Sequence, residues 1–329
     1  MTDGITTETR GGRVVYKLRD DASGATASIL PGYGFNLFDL RLPAAGKIRS
    51  VIASDPDWPD HPSHPARQGI PILFPYPNRI RDGKFSFGGR EFHVPITNGP
   101  NGIHGFALDA PWDVVEAGRV GGTVKIVGRY QISKQSQEMR ASWPTDAVLE
   151  VAYELAGRRL TMTSTVSNPT AEDLPYGFGI HPYFRLPFEP SGDLARTLVV
   201  LPASRTWPLK DFLPTGQTTP VDERLDFRKG KPIKDLKLDD VLTDLMIDGR
   251  MGITRLVDRA LNAECRILFD RTFRELVVYT PATAGVIAVE PYTQTTDAIN
   301  LQPHGIDAGL RILKHDQSAN HVLAIETVG

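Results

Sequence analysis

The sequence predicts an all-β protein, a large antiparallel β-sandwich with few short helices. Apolar residues recur at every second position in short runs, and these runs come in pairs separated by turn residues. Stretches of helical length with a 3.6-residue apolar period are hard to find. The 30 glycines and 26 prolines are spread along the chain rather than gathered in one linker, as many short strands and turns require.

Lys84 to Phe87 and Glu91 to Val94 read as a hairpin around Gly88-Gly89, where positive φ carries no Cβ clash. Trp112 to Val115 with Thr123 to Val127 reads as another, Gly121-Gly122 lying in its turn. The clearest is Leu149 to Leu155 with Leu160 to Val166. Leu149, Val151, Tyr153 and Leu155 alternate, and Ala156-Gly157-Arg158-Arg159 supplies the turn. Pro187 to Lys237 is irregular, rich in turn residues and charges, and is expected to form one wall of a binding cleft. Cys265 to Phe269 with Glu275 to Tyr279 reads as a further hairpin.

The chain has 329 residues, and large β-sandwiches of this kind run well past 200 residues as one unit. No step in composition, fixed-period repeat or low-complexity tract divides it. A single domain over residues 1–329 is expected, with the first dozen residues loose. Apolar residues make up 40% and charged residues 23%, enough to bury a sizeable core.

The formal net charge is -2, with no long run of one sign, which argues against a nucleic-acid or anionic-membrane partner. A small, largely uncharged ligand fits better. Cys265 is the only cysteine, so the chain alone makes no disulfide, zinc ribbon or iron–sulfur cluster. No GxSxG elbow, phosphate loop or HExxH pair occurs, so no nucleotide, metal or other cofactor is expected. The N-terminus lacks the basic start and apolar core of a secretory signal, and no stretch is apolar for long enough to span a bilayer. The expected location is therefore the cytoplasm. Nothing in the sequence indicates an oligomeric state.

Four segments concentrate polar residues beside glycine, proline and aromatics. In Gly69 to Ile80 an apolar strand runs into prolines and presents Asn78 and Arg79, whose planar donor fork suits an oxygen-rich ligand. A strand-end arginine in a surface ion pair is the alternative. In Asn98 to Gly105, His104 sits among small residues that allow close approach of a ligand. In Tyr176 to Phe184, His181 is flanked by aromatics and glycines, which suit a pyranose because its C–H faces pack on rings. A satisfied core histidine is the alternative there. In Val286 to Thr293 an apolar run ends in Glu290, and a carboxylate emerging from a buried strand is costly unless paired or used. Glu290 is thus the best single candidate for a base, against a strand-end glutamate turned to solvent.

In their order, these segments resemble the aldose 1-epimerase family, the galactose mutarotases. The resemblance rests on Asn78-Arg79-Ile80 with Gly83 and Phe85, then Asn98, Asn101, His104-Gly105 and Trp112. It continues through Gly177-Phe178-Gly179-Ile180 into His181-Pro182-Tyr183-Phe184, and through Glu290 to Asp297-Ala298-Ile299-Asn300. It covers roughly residues 65 to 329. It implies a β-supersandwich and interconversion of the α and β anomers of a free hexose without cofactor. Carried over by position, it implies Glu290 as the general base at the C1 hydroxyl and His181 as the acid at the ring oxygen. Arg79, His104, Asp239 and Asn78 would bind the sugar. Two features depart from the family pattern. Asp239-Asp240 is followed by Val241-Leu242 where an aromatic is usual, Asp239 being favoured over Asp240, and the spacing from Glu290 to Asp297 is longer.

Two alternatives accompany this reading. One is a hexose-6-phosphate 1-epimerase, for which Arg67, Arg79, Arg81 and Arg185 are the arginines available to a phosphate. The other is a non-catalytic sugar-binding protein on the same fold.

Overall fold

The computed structural model describes residues 4–61 and 63–329. Among the described residues, three antiparallel sheets dominate, with five, ten and eight strands. The five-stranded sheet is a meander over residues Ile5–Arg10, Arg13–Arg19, Thr26–Leu30, Asn36–Ala44 and Lys47–Ser50. The helices are short, the α-helical pieces being Gln137–Ala141 and Ala298–Leu301. No helix among the described residues is long and apolar enough to cross a membrane.

The described part of the first dozen residues contributes an edge strand. Ile5–Arg10 pairs with Arg13–Arg19 from Ile5↔Leu18 to Arg10↔Arg13, and Ile5 and Leu18 are buried together. Most of this edge strand faces water, so it carries no apolar alternation for a sequence reading to detect.

The ten-stranded sheet contains the hairpin that the sequence shows best. Val148–Ala156 pairs with Arg159–Ser167, turning at Gly157-Arg158, and Leu149, Val151, Tyr153 and Leu155 all point into the core. Leu149, Val151 and Leu155 each contribute about 1.5–3 kcal/mol by leaving water. Asp113–Val120 pairs with Thr123–Gln131 and Lys84–Phe87 with Arg90–His93, both as expected.

One expected pairing is wrong. Ala263–Asp270 and Glu275–Tyr279 are both strands, but they belong to different sheets. The first pairs with Met251–Asp258 and Ser318–Val328, the second with Asp239–Leu245 and Val286–Tyr292. The short connection between them crosses from sheet to sheet instead of turning back. The Pro187 to Lys237 segment is also more regular than it reads, since Thr197–Val200 and Ala203–Trp207 join the ten- and eight-stranded sheets respectively.

The eight-stranded sheet carries the site. Its central strand, Val286–Tyr292, is buried along its whole length, which explains an apolar run without alternation. Gly179↔Tyr292 and Tyr183↔Ala288 bracket it in antiparallel register, so His181 falls opposite Glu290. Pro182 and Pro291 each lack the N–H that a ladder needs, and the pairing lapses between those two bracketing pairs.

Candidate active site

The register places His181, Glu290, Val277, Tyr279 and Asp239 along one face of the eight-stranded sheet, because Val277 pairs with Glu290 and Asp239 with Tyr279. These side chains line a pocket of about 490 Å³, whose other walls include Asn78, Arg79 and His104. All six residues singled out from the sequence for the site are therefore brought together.

His181 Nε2 lies 3.2 Å from Glu290 Oε1. The imidazole stacks on Tyr183, with centroids 4.7 Å apart, and meets the His104 ring edge-on at 5.5 Å. Both groups of the pair are buried, and burial drives them in opposite directions: His181 falls to about 3 and Glu290 rises well above the usual carboxylate range. Both shifts favour the neutral pair, imidazole beside carboxylic acid, over the ion pair. On its other oxygen Glu290 accepts a short hydrogen bond from the Tyr292 hydroxyl, which favours its charged form and partly opposes the burial. Gly179 makes room for this phenol, because a Cβ there would lie 2.4 Å from the Tyr292 ring.

Asn78 and His104 hold each other at the ends of the Arg79–Ile80 and Gly102–Ile103 strands. Both adopt left-handed φ, 57° and 67°, and His104 N–H donates to Asn78 O at 2.9 Å. The Asn78 N–H donates back to His104 Nδ1 at 3.3 Å, which assigns the ring hydrogen of neutral His104 to Nε2. Burial lowers the His104 pKa well below the ordinary imidazole value, so the ring is a neutral donor. Gly105 is required next, since a Cβ would lie 2.2 Å from Phe74 O.

Arg79 is half-buried, with Nη1 donating to Asn78 Oδ1 at 3.1 Å and Nε to Asn98 Oδ1 at 3.2 Å. Asn78 therefore orients Arg79 through its carbonyl oxygen. From the far side Asp297 secures the same strand: its N–H donates to Arg79 O at 2.9 Å, and its Oδ1 accepts from Arg81 N–H at 3.0 Å. Asp239 is exposed at the pocket mouth, while Asp240 is engaged by Arg224 through two hydrogen bonds. Of the four arginines available to a phosphate, Arg67 and Arg79 line the pocket, Arg81 pairs with Asp297, and Arg185 lies outside the lining. Among the described residues, no group of three or more His, Cys, Asp or Glu is placed to hold a metal ion.

A family model described as aldose 1-epimerase matches residues 15–326. The chain belongs to the aldose 1-epimerase family. Among curated relatives, galactose mutarotase of Rattus norvegicus is 28% identical over 155 residues, which is 46% of this chain and 43% of that protein. Galactose mutarotase of Homo sapiens is 28% identical over 168 residues, 49% of this chain and 46% of that one. The chain thus spans about half the length of the curated relatives it matches. In structure it resembles a galactose mutarotase-like protein from Clostridium acetobutylicum, with a TM-score of 0.89, 21% identity and coverage of 99% of this chain and 98% of that one. At that identity the likeness shows the fold, a galactose mutarotase-like β-sandwich.

Sequence reading gave no individual role to four aromatics at the site. Tyr183 and Tyr292 stand two residues after His181 and Glu290, the spacing that returns a strand to the same face, so period two alone would have found them. Tyr279 follows from its pairing with Asp239. Phe212 packs its ring over the Arg79 guanidinium at 4.7 Å, from within the segment expected to form a cleft wall, and no local pattern marks it.

Proposed function

We infer that this member of the family is an aldose 1-epimerase that interconverts the α and β anomers of a free aldose. The observation that carries this reading is the 3.2 Å approach of His181 Nε2 to Glu290 Oε1 within a polar pocket. In a cyclic aldose the hydroxyl O1 and the ring oxygen O5 are bonded to the same carbon. An acid and a base that act on both must converge on one point, as these two tips do.

Ionised Glu290 takes the proton of the O1 hydroxyl, the O1 electrons form the C1 carbonyl, and the C1–O5 bond breaks. O5 takes its proton from protonated His181. The products are the open-chain aldehyde, a neutral glutamic acid and a neutral imidazole. Rotation about C1–C2 presents the other carbonyl face, and the same two transfers in reverse close the ring. The pair holds one proton throughout, and its burial favours the neutral form reached when the ring is open. Each positioned transfer contributes about 10²- to 10⁴-fold. The Nε2–H of His104 and the guanidinium of Arg79 donate to sugar oxygens, and Asp239 accepts from a hydroxyl at the mouth.

Polarimetry of freshly dissolved α-galactose and α-glucose tests this reading. Optical rotation is expected to relax faster than in buffer, in proportion to protein concentration. Relaxation at the buffer rate for both sugars and for other free aldoses would refute it.

A further inference from the structure

The catalytic-site pocket opens onto a second depression, of about 670 Å³, that shares Asp239 with it. The contact of Arg79 with Phe212 bridges the two, because Arg79 lines the first and Phe212 the second. Phe212 stands at the tip of a hairpin formed by Leu209–Lys210 and Leu213–Pro214, in a two-residue turn. Asp211 and Phe212 both have positive φ, 52° and 64°. Asparagine and glycine are the residues that suit such a turn, and a bulky side chain there is an outlier. The ring is also 53% exposed, an unusual degree of exposure for a large aromatic, although it packs against the Arg79 guanidinium. A glycine would close the turn better, so the ring is there for what it faces.

The depression combines an apolar platform with hydrogen-bond acceptors. Trp207, Leu209 and Phe212 supply the first, and Asp211, Asp222, Asp239 and Asp240 the second, against a single arginine, Arg224, that is engaged by Asp240. Excess negative charge repels phosphate, sulfate or uronate groups. Carboxylates accept from hydroxyls, and aromatic faces pack on the C–H faces of a pyranose.

Resting on the mutarotase reading, we propose that this depression is a subsite for a second, uncharged sugar ring, so that the substrate is the reducing end of a disaccharide or longer saccharide. The reducing ring sits against His181 and Glu290, and the next ring lies over Phe212 beyond Asp239.

Titration calorimetry on the intact protein tests the subsite, with maltose, cellobiose, lactose and β-1,4-galactobiose compared with glucose or galactose. At least one disaccharide is expected to bind about 10-fold more tightly than the hexose that forms its reducing ring. Phe212→Gly, which suits the left-handed turn, is expected to cut that advantage to within about two-fold, as is Thr219→Trp, which places a bulky ring in the lining of the depression. The proposal is overturned if no disaccharide binds more tightly than its hexose, or if both variants keep the advantage intact. A disaccharide advantage abolished by both variants, in a protein that exchanges no anomers of any sugar, would uphold the subsite and refute the mutarotase reading. Hexose exchange without any disaccharide advantage would do the reverse.

Discussion

Tyr292 donates its phenolic hydrogen to Oε2 of Glu290, two residues earlier on the same face of the same strand. The other oxygen of that carboxylate meets His181, so the phenol fixes which way Glu290 presents its basic lone pair. Tyr292→Phe removes a hydrogen bond to a charged acceptor, of the kind that contributes about 1.5–3 kcal/mol. The expected result is a loss of roughly 10-fold or more in kcat for anomer exchange with KM little changed. An unaltered kcat would mean that the bond orients nothing the reaction uses.

The buried pair also sets the pH profile. Activity requires one proton on the pair: a second protonates Glu290 and His181 together and removes the base, and loss of the first removes the acid. Because burial lowers His181 to about 3, the second proton joins far below the ordinary imidazole range. kcat/KM is therefore expected to show no decline as pH falls from 8 through 6.5 to 5, a macroscopic property of the coupled pair. A decline centred near pH 6.5 would show that His181 titrates as a solvated imidazole.

Glu275 gives a prediction about stability. It lies opposite Tyr292 in register, inaccessible to water, with Trp207 Nε1 donating to its Oε2 at 3.2 Å. Its Oε1 makes no hydrogen bond among the described residues, and burial raises its pKa to about 8. A carboxyl raised in the folded state holds its proton more tightly there than in the unfolded chain. Its contribution is full below pH 4.5 and is lost as pH climbs towards 8, a change on the order of 4 kcal/mol. Glu275→Gln keeps the acceptor and removes the ionisation. Its unfolding temperature should exceed that of the wild type by several degrees at pH 8 and by little at pH 5. Equal differences at the two pH values would contradict a protonated Glu275.

The particular residues show where sequence reading works and where it stops. The strands around Leu149 and Leu160 were legible because they bury one face and leave the other half-exposed, which prints alternation into the chain. Glu275–Tyr279 was recognisable as a strand but not as a partner of Asp239–Leu245, because sheet membership is decided by residues distant in sequence. His181, Glu290, Arg79, His104, Asn78 and Asp239 were found because polar groups beside glycine, proline and aromatics are unusual in plain strands and occur in a recognisable order. Tyr183 and Tyr292 were legible by period two once their neighbours were chosen. Phe212 was not, since its importance lies in a left-handed turn and a contact with Arg79 that only folding creates.

Proton transfer at C1 by His181 and Glu290 is tested most directly by NMR exchange between α- and β-galactose or α- and β-glucose in the presence of Glu290→Gln and His181→Asn. Each variant is expected to slow exchange by about two orders of magnitude or more, with the fold retained by circular dichroism and sugar still bound. Full activity in either variant would contradict the assignment of that pair as acid and base.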